Sequence, residues 1–207
     1  MTDSLFAFLI FLLVIGVVYL VISKLESFHP SRRHIREEID ECLEYLTSKR
    51  PVDRVKFVPD EQIYARFCDH YTETPALSAM ARDILKHLGL PNNSIPVYIV
   101  DDLDENTAGS YSYGSYGTCI EIKLKEDSYP PEVLAILIHE CMHYYLRLTR
   151  MGYSDKHKNE ILTDTATIYF GFYEFMYEGY FRAGYINRSE MDHIEKVLRD
   201  KGMDYSD

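Results

Sequence analysis

The chain has no tryptophan, only four cysteines and a shortage of basic side chains, with 22 Lys and Arg against 33 Asp and Glu and a formal charge of −11. A domain that grips nucleic acid neutralises phosphates with a basic face, so the shortage argues against nucleic acid as a partner. Cys42, Cys68, Cys119 and Cys141 show no paired spacing, and Cys141 falls between two histidines of one predicted helix, where a disulfide would be awkward. Free, buried thiols are therefore expected, in keeping with a reducing compartment. No repeat or low-complexity segment interrupts the chain. The part beyond the amino-terminal apolar run, about 180 residues, is of ordinary size for one domain.

That run is the one long uncharged stretch. Leu5 to Ile22 contains no charged residue, and at ~1.5 Å per residue it spans roughly 27 Å of helix, close to the ~30 Å hydrocarbon core of a bilayer. The lead Met1-Thr2-Asp3-Ser4 lacks the basic start of a signal peptide, and the exit Ser23-Lys24-Leu25-Glu26 lacks a small-residue cleavage site. Residues 1–24 are thus expected to be a retained single-pass anchor engaging lipid through residues 5–22. Lys24, Arg32, Arg33 and Arg36 follow the run and Asp3 precedes it, which predicts that the rest of the chain faces the cytoplasm. Residues 25–50 read as a juxtamembrane helix or spacer and residues 51–207 as the folded domain.

The chemistry lies in His139-Glu140-Cys141-Met142-His143 and in Glu160-Ile161-Leu162-Thr163-Asp164. At 3.6 residues per turn His139 and His143 share a helix face, so both imidazoles can reach one metal ion, while Glu140 is rotated enough to act on water beside it. A histidine pair needs a third ligand to hold zinc and leaves a fourth position open in a catalytic site. Glu160 is the candidate, giving one Zn2+ per chain, and Asp164, one turn on, suits an acceptor for a ligand's outer N–H. The apolar run Val133–Ile138 before the histidines predicts a buried helix, in which unpaired imidazoles and a carboxylate would be costly.

His139-Glu140-x-x-His143 followed by Glu160-x-x-x-Asp164 resembles the gluzincin metallopeptidases, and Asn159-Glu160 is similar to the Asn-Glu of the thermolysin-type members. The resemblance covers about Ile95 to Phe175. It implies a zinc-dependent peptidase acting on peptide or protein substrates, with His139, His143 and Glu160 as zinc ligands, Glu140 as general base and Asp164 orienting His139. The metzincin pattern is excluded, because Tyr144-Tyr145-Leu146-Arg147-Leu148-Thr149 lacks the glycine and histidine it demands. Two alternatives remain. A Spartan-like peptidase would use His157 as third ligand, and a membrane-anchored binding module would keep the fold without turnover.

The fold expected is α+β and helix-rich, a minimal gluzincin-like zincin domain with a small sheet ahead of the HExxH helix and one amino-terminal transmembrane helix. Helices are predicted from Pro30 to about Ser48, Asp60 to His70 and Pro75 to Leu88. Ile95 to Val100 reads as a strand and Ala108 to Leu124 as a hairpin, with Ile120, Ile122 and Leu124 on one face. Ala108-Gly109-Ser110-Tyr111 is the candidate edge for an extended peptide. Tyr169, Tyr173 and Tyr177 recur every fourth residue, as for a stripe continuing the Glu160 helix. An oxyanion would need a donor; Tyr153, His157, Arg182, Tyr185 and His193 are conceivable, with His157 and Tyr153 named first.

Overall fold

Ile39, Cys42, Leu43 and Leu46 recur at helical spacing, and in the computed structural model they are 0–3 % exposed on one face of α1 (Pro30–Lys49). The structure describes residues 30–104, 107–114, 117–179 and 185–205. The apolar run 5–22 expected as an anchor lies outside these residues, and among them no helix is long and apolar enough to cross a membrane. The chain divides within α1 into two units, Met1–Glu38 and Ile39–Asp207. The second half of the helix expected as a spacer thus belongs to the larger unit and packs in its core.

Two helices follow. Asp60 caps α2 (Glu61–His70), its carboxylate accepting the N–H groups of Gln62 and Ile63. Helix α3 (Thr74–His87) buries Leu77, Met80, Ala81, Ile84 and Leu85. Strands β1 (Val97–Ile99), β2 (Gly109–Gly114) and β3 (Gly117–Ile122) form one sheet in the order β1-β3-β2. Val97 faces Ile120 in the parallel pair, and Tyr111 faces Ile120 in the antiparallel one. Ile120 and Ile122 are fully buried while Cys119 and Glu121 are half-buried, as the alternation predicts. Strand β2 is an edge, so its outer N–H and C=O groups have no strand partner among the described residues.

Helix α4 (Pro130–Leu148) begins on two prolines, whose missing N–H groups are harmless in a first turn that has no partners for them. Its stretch Val133–Ile138 is buried all round, because the helix touches β2 and β3 as well as α3, α5 (Lys156–Tyr169) and α6 (Tyr173–Gly179). Helix α7 (Arg188–Asp200) closes the chain of elements with an Asn187–Glu190 capping box. All four cysteines are free, with Cys42 and Cys141 buried. The result is an α+β fold of seven helices and three strands among the described residues.

The expected tyrosine stripe is not continuous. Helix α5 ends at Tyr169 and α6 starts at Tyr173, with Gly171 between them at φ 93°. That left-handed turn suits glycine, and a side chain there would run into the Val55 carbonyl. Tyr169 is buried and donates to the Arg50 carbonyl, whereas Tyr173 and Tyr177 pair with each other at 5.4 Å.

Arg54, 2 % exposed, closes the carboxyl end of α5 by donating to the Ile168 and Tyr169 carbonyls. It also pairs with Glu195 on α7 and donates to the Met203 carbonyl and the Tyr205 hydroxyl. Removing one partner of a buried pair leaves the other charge uncompensated. Arg54→Met is therefore expected to destabilise the fold by on the order of 3 kcal/mol in urea unfolding. A loss within about 0.5 kcal/mol, the usual size of a neutral surface change, would contradict that role.

Candidate metal centre

Two adjacent helices build the centre. His139 and His143 project from one face of α4, one turn apart, and Glu160 and Asp164 from the facing side of α5. The Nε2 atoms of the two imidazoles stand 3.0 Å apart, and each is 3.2 Å from Glu160 Oε2. These three residues form the one group of metal-type ligands found among the described residues, and His157 is not part of it.

The surroundings fix which ring nitrogens face inward. Asp164 Oδ1 lies 2.8 Å from His139 Nδ1 and accepts its N–H. Asp164 is fully buried, and its Oδ2 accepts the N–H groups of Tyr185 and Ile186 at 3.0 and 3.3 Å, so the carboxylate is held on both sides. Thr163 Oγ1 donates to the Asn159 carbonyl at 2.7 Å, which leaves it able to accept from His143 Nδ1, 3.1 Å away, and Asn159 Nδ2 lies 3.4 Å from the same ring nitrogen. When Nδ1 donates outward and the ring is neutral, as a metal ligand must be, each imidazole turns an Nε2 lone pair toward Glu160. In that form the two Nε2 lone pairs and Glu160 Oε2 converge on one point. A cation can take the place of the protons that otherwise link them. Zinc–ligand bonds of ~2.0–2.2 Å in a tetrahedral arrangement separate the donors by roughly 3.3 Å, so the three separations fit a zinc ion.

The electrostatics agree. Burial works against a proton on His139, but Asp164, Glu160 and Glu140 overcome it and hold the ring's basicity well above that of an ordinary imidazole. Burial would likewise raise Glu160, yet hydrogen bonds from His139 and His143 pull its carboxyl far below the usual range. Burial pushes Glu140 above its ordinary value against the opposite pull of His139 and His143. Such a pocket favours positive charge.

Glu140 sits beside the group, and the Tyr111 amide donates to its carboxylate. Gly109 permits this approach, because a side chain there would meet Ile136 Cγ2 at 2.6 Å and Glu140 Oε1 at 2.8 Å. The centre opens into a cleft of ≈ 1070 Å³ that Ala108 and, from β2, Gly109, Ser110, Tyr111 and Tyr113 border. The candidate edge thus lies along the cleft.

No protein-family model, curated protein or solved structure matches the chain. What the centre can do follows from its own side chains.

Of the two donor residues named first from sequence, Tyr153 borders the cleft and His157 does not. His157 is exposed and packs its ring against Tyr185 at 5.7 Å. Tyr153 borders the cleft, but its ring packs on Tyr45 at 5.1 Å and its electrostatic neighbours are Cys42, Tyr45 and Glu41 of α1. Burial in that setting pushes its hydroxyl up to about 12. His193 pairs with Asp40 at 2.9 Å and does not border the cleft, and Arg182 lies outside the described residues. Tyr185 does border it, and burial together with Glu160 and Asp164 raises its hydroxyl above the ordinary value. Thr163 and the Tyr111 amide were not anticipated. Thr163 carries a weak signal in sequence, since it stands four residues after Asn159 on the face of a ligand; the amide carries none.

For a zinc ion held by this group, Asp164→Ala is expected to weaken binding by ~10–100-fold, the usual effect of removing the acceptor behind a histidine ligand. Competition with a chelator measures this. Unchanged affinity would show that Asp164 serves only the Tyr185–Ile186 turn.

Proposed function

We propose that the chain is a zinc-dependent peptidase that hydrolyses peptide bonds by direct attack of water, with His139, His143 and Glu160 as the metal ligands. The observation that carries this reading is the convergence of three lone-pair donors on one point, beside a buried carboxylate, in a cleft bordered by an edge strand. When bound, zinc would supply Lewis acidity toward a carbonyl oxygen and toward water. Glu140 takes the proton from the attacking water and delivers it to the leaving amine, its carboxylate held by the Tyr111 amide. Asp164 and Thr163 keep both imidazoles in one tautomer. Tyr185, at the cleft beside Glu160, is the phenol assigned to the developing oxyanion in place of Tyr153 or His157. An extended peptide would lie along the outer edge of β2.

In this reading the domain is a reduced gluzincin-type zincin, tethered to a bilayer through residues 5–22 with the cleft in the cytoplasm. The tether rests on hydropathy and flanking charge alone. A reporter fused after Asp207 is expected on the cytoplasmic side. Labelling of an engineered carboxy-terminal cysteine by an impermeant reagent in intact cells would reverse that orientation.

The reading of His157 as third ligand loses its support, because that ring lies outside the converging group. A binding module without turnover keeps the same ligands. Metal analysis and a peptide-cleavage assay on one purified sample separate the two: zinc with cleavage supports the peptidase, zinc without cleavage the binding module.

A further inference from the structure

Strand β2 and helix α4 run side by side in the same direction along the cleft. Gly109 lies against Ile136 and Glu140, Tyr111 against Glu140 and Tyr144, and Tyr113 beneath the Arg147 guanidinium, 3.0 Å from the ring centre. The Ala108 carbonyl bonds Lys123 of the β3 side, so by alternation residues 109, 111 and 113 turn their backbone groups to the free edge. A chain laid on that edge therefore passes the histidines and continues over the last turn of α4.

At that end the cleft is lined by Arg147, Arg150 and Lys156, all exposed, in a protein of formal charge −11. The Lys and Arg ion pairs seen among the described residues, those of Arg54, Lys56 and Lys158 among them, do not involve these three. The helix dipole accounts for cations near the carboxyl end of α4, but not for Lys156, which opens α5, where a cation is disfavoured and the acidic residue of that turn, Asp155, is engaged in capping the Lys158 N–H. Arg150 is also unusual. At φ 56° it is the only described non-glycine residue in the left-handed region, in the turn where Met151 N–H bonds the Leu146 carbonyl. Glycine fills such a turn far more readily. Asp104, the acidic residue of the cleft lining apart from Glu140 and Glu160, precedes β2 and lies toward the opposite end.

We infer that Arg147, Arg150 and Lys156 form a carboxylate-recognising subsite, so that the peptidase prefers peptides bearing a negative charge on the side of the scissile bond that lies over the end of α4. This rests on the peptidase reading. Arg147 and Arg150 stand one and two turns beyond His143, roughly 6–10 Å along the helix. That distance corresponds to about two to three residues of extended peptide. The carboxylate is either an Asp or Glu side chain at that spacing or the peptide's own carboxyl terminus.

The test uses the zinc-loaded full chain and four matched fluorogenic peptides, with Glu or Gln at the second and third positions from the cleavage site and a free or amidated terminus. The charged peptides are expected to be cleaved with kcat/KM roughly 10-fold above the uncharged, amidated one, an advantage that shrinks in high salt. Preference for internal Glu identifies a side-chain subsite, and preference for the free terminus an end-recognising one. Arg150→Gly and Lys156→Glu each suit the local backbone or helix dipole better than the native residue, so both are expected to hold their Tm. Arg150→Gly should lower the advantage, and Lys156→Glu should shift preference toward lysine-bearing peptides.

Anisotropy of the same peptides on Glu140→Gln provides the second readout. Cleavage indifferent to peptide charge, or an advantage that both variants leave intact, overturns the subsite while the peptidase reading stands. Charge-dependent binding, lost in the variants, with no cleavage of any peptide, sinks the peptidase reading and keeps the subsite. Neither binding nor cleavage overturns both.

Discussion

On the peptidase reading, Glu140→Gln is expected to lower peptide hydrolysis by roughly 100- to 10,000-fold while retaining one zinc per chain, the span for removal of a general base. The amide matches the carboxylate in size and can still accept the Tyr111 N–H through its oxygen, so the contact between β2 and α4 is preserved. What it cannot do is accept a proton from attacking water. Glu140 is 5 % exposed, with burial raising its proton affinity and the two imidazoles lowering it. That balance suits a group that must take a proton and give it back. Metal content and rate are measured on the same metal-loaded preparation. A variant that keeps most of the wild-type turnover would remove Glu140 from the proton path.

Glu160→Ala is expected to lose zinc affinity by roughly 300- to 8,000-fold, if the three protein ligands share a zinc binding energy of ~10–16 kcal/mol about equally. Glu160 Oε2 completes the triangle with both Nε2 atoms, and no other described carboxylate or histidine joins that group. His157→Ala serves as the matched comparison. Its ring is exposed against Tyr185, so zinc should remain bound. Turnover can still fall if Tyr185 shifts, which is why metal content decides. Stoichiometric zinc in Glu160→Ala, with zinc lost in His157→Ala, would exchange the two assignments.

The centre was legible in sequence where one helix period or one shared face carries the information. His139 and His143 follow from four-residue spacing on α4, and Glu160 with Asp164 from the same spacing on α5. The alternation of Ile120 and Ile122 likewise announced a half-buried strand beside an edge. Contacts between elements were not legible. The Tyr111 amide meets Glu140 only because β2 is laid along α4, and Tyr185 reaches the cleft because Asp164 holds its N–H from 21 positions away. Arg54 is a single arginine between helices in sequence, yet it binds the end of α5, Glu195 and the carboxyl-terminal segment at once. The tyrosine stripe failed at Gly171, since a four-residue period does not reveal that the helix stops within it.

The most direct test of the account is cleavage of a mixed peptide set by the full chain stripped of metal and titrated with zinc. Activity is predicted to be absent in the stripped protein and to rise with added zinc to a plateau at one equivalent per chain. Cleavage that survives stripping, or a metal-loaded chain that cleaves nothing, would contradict it.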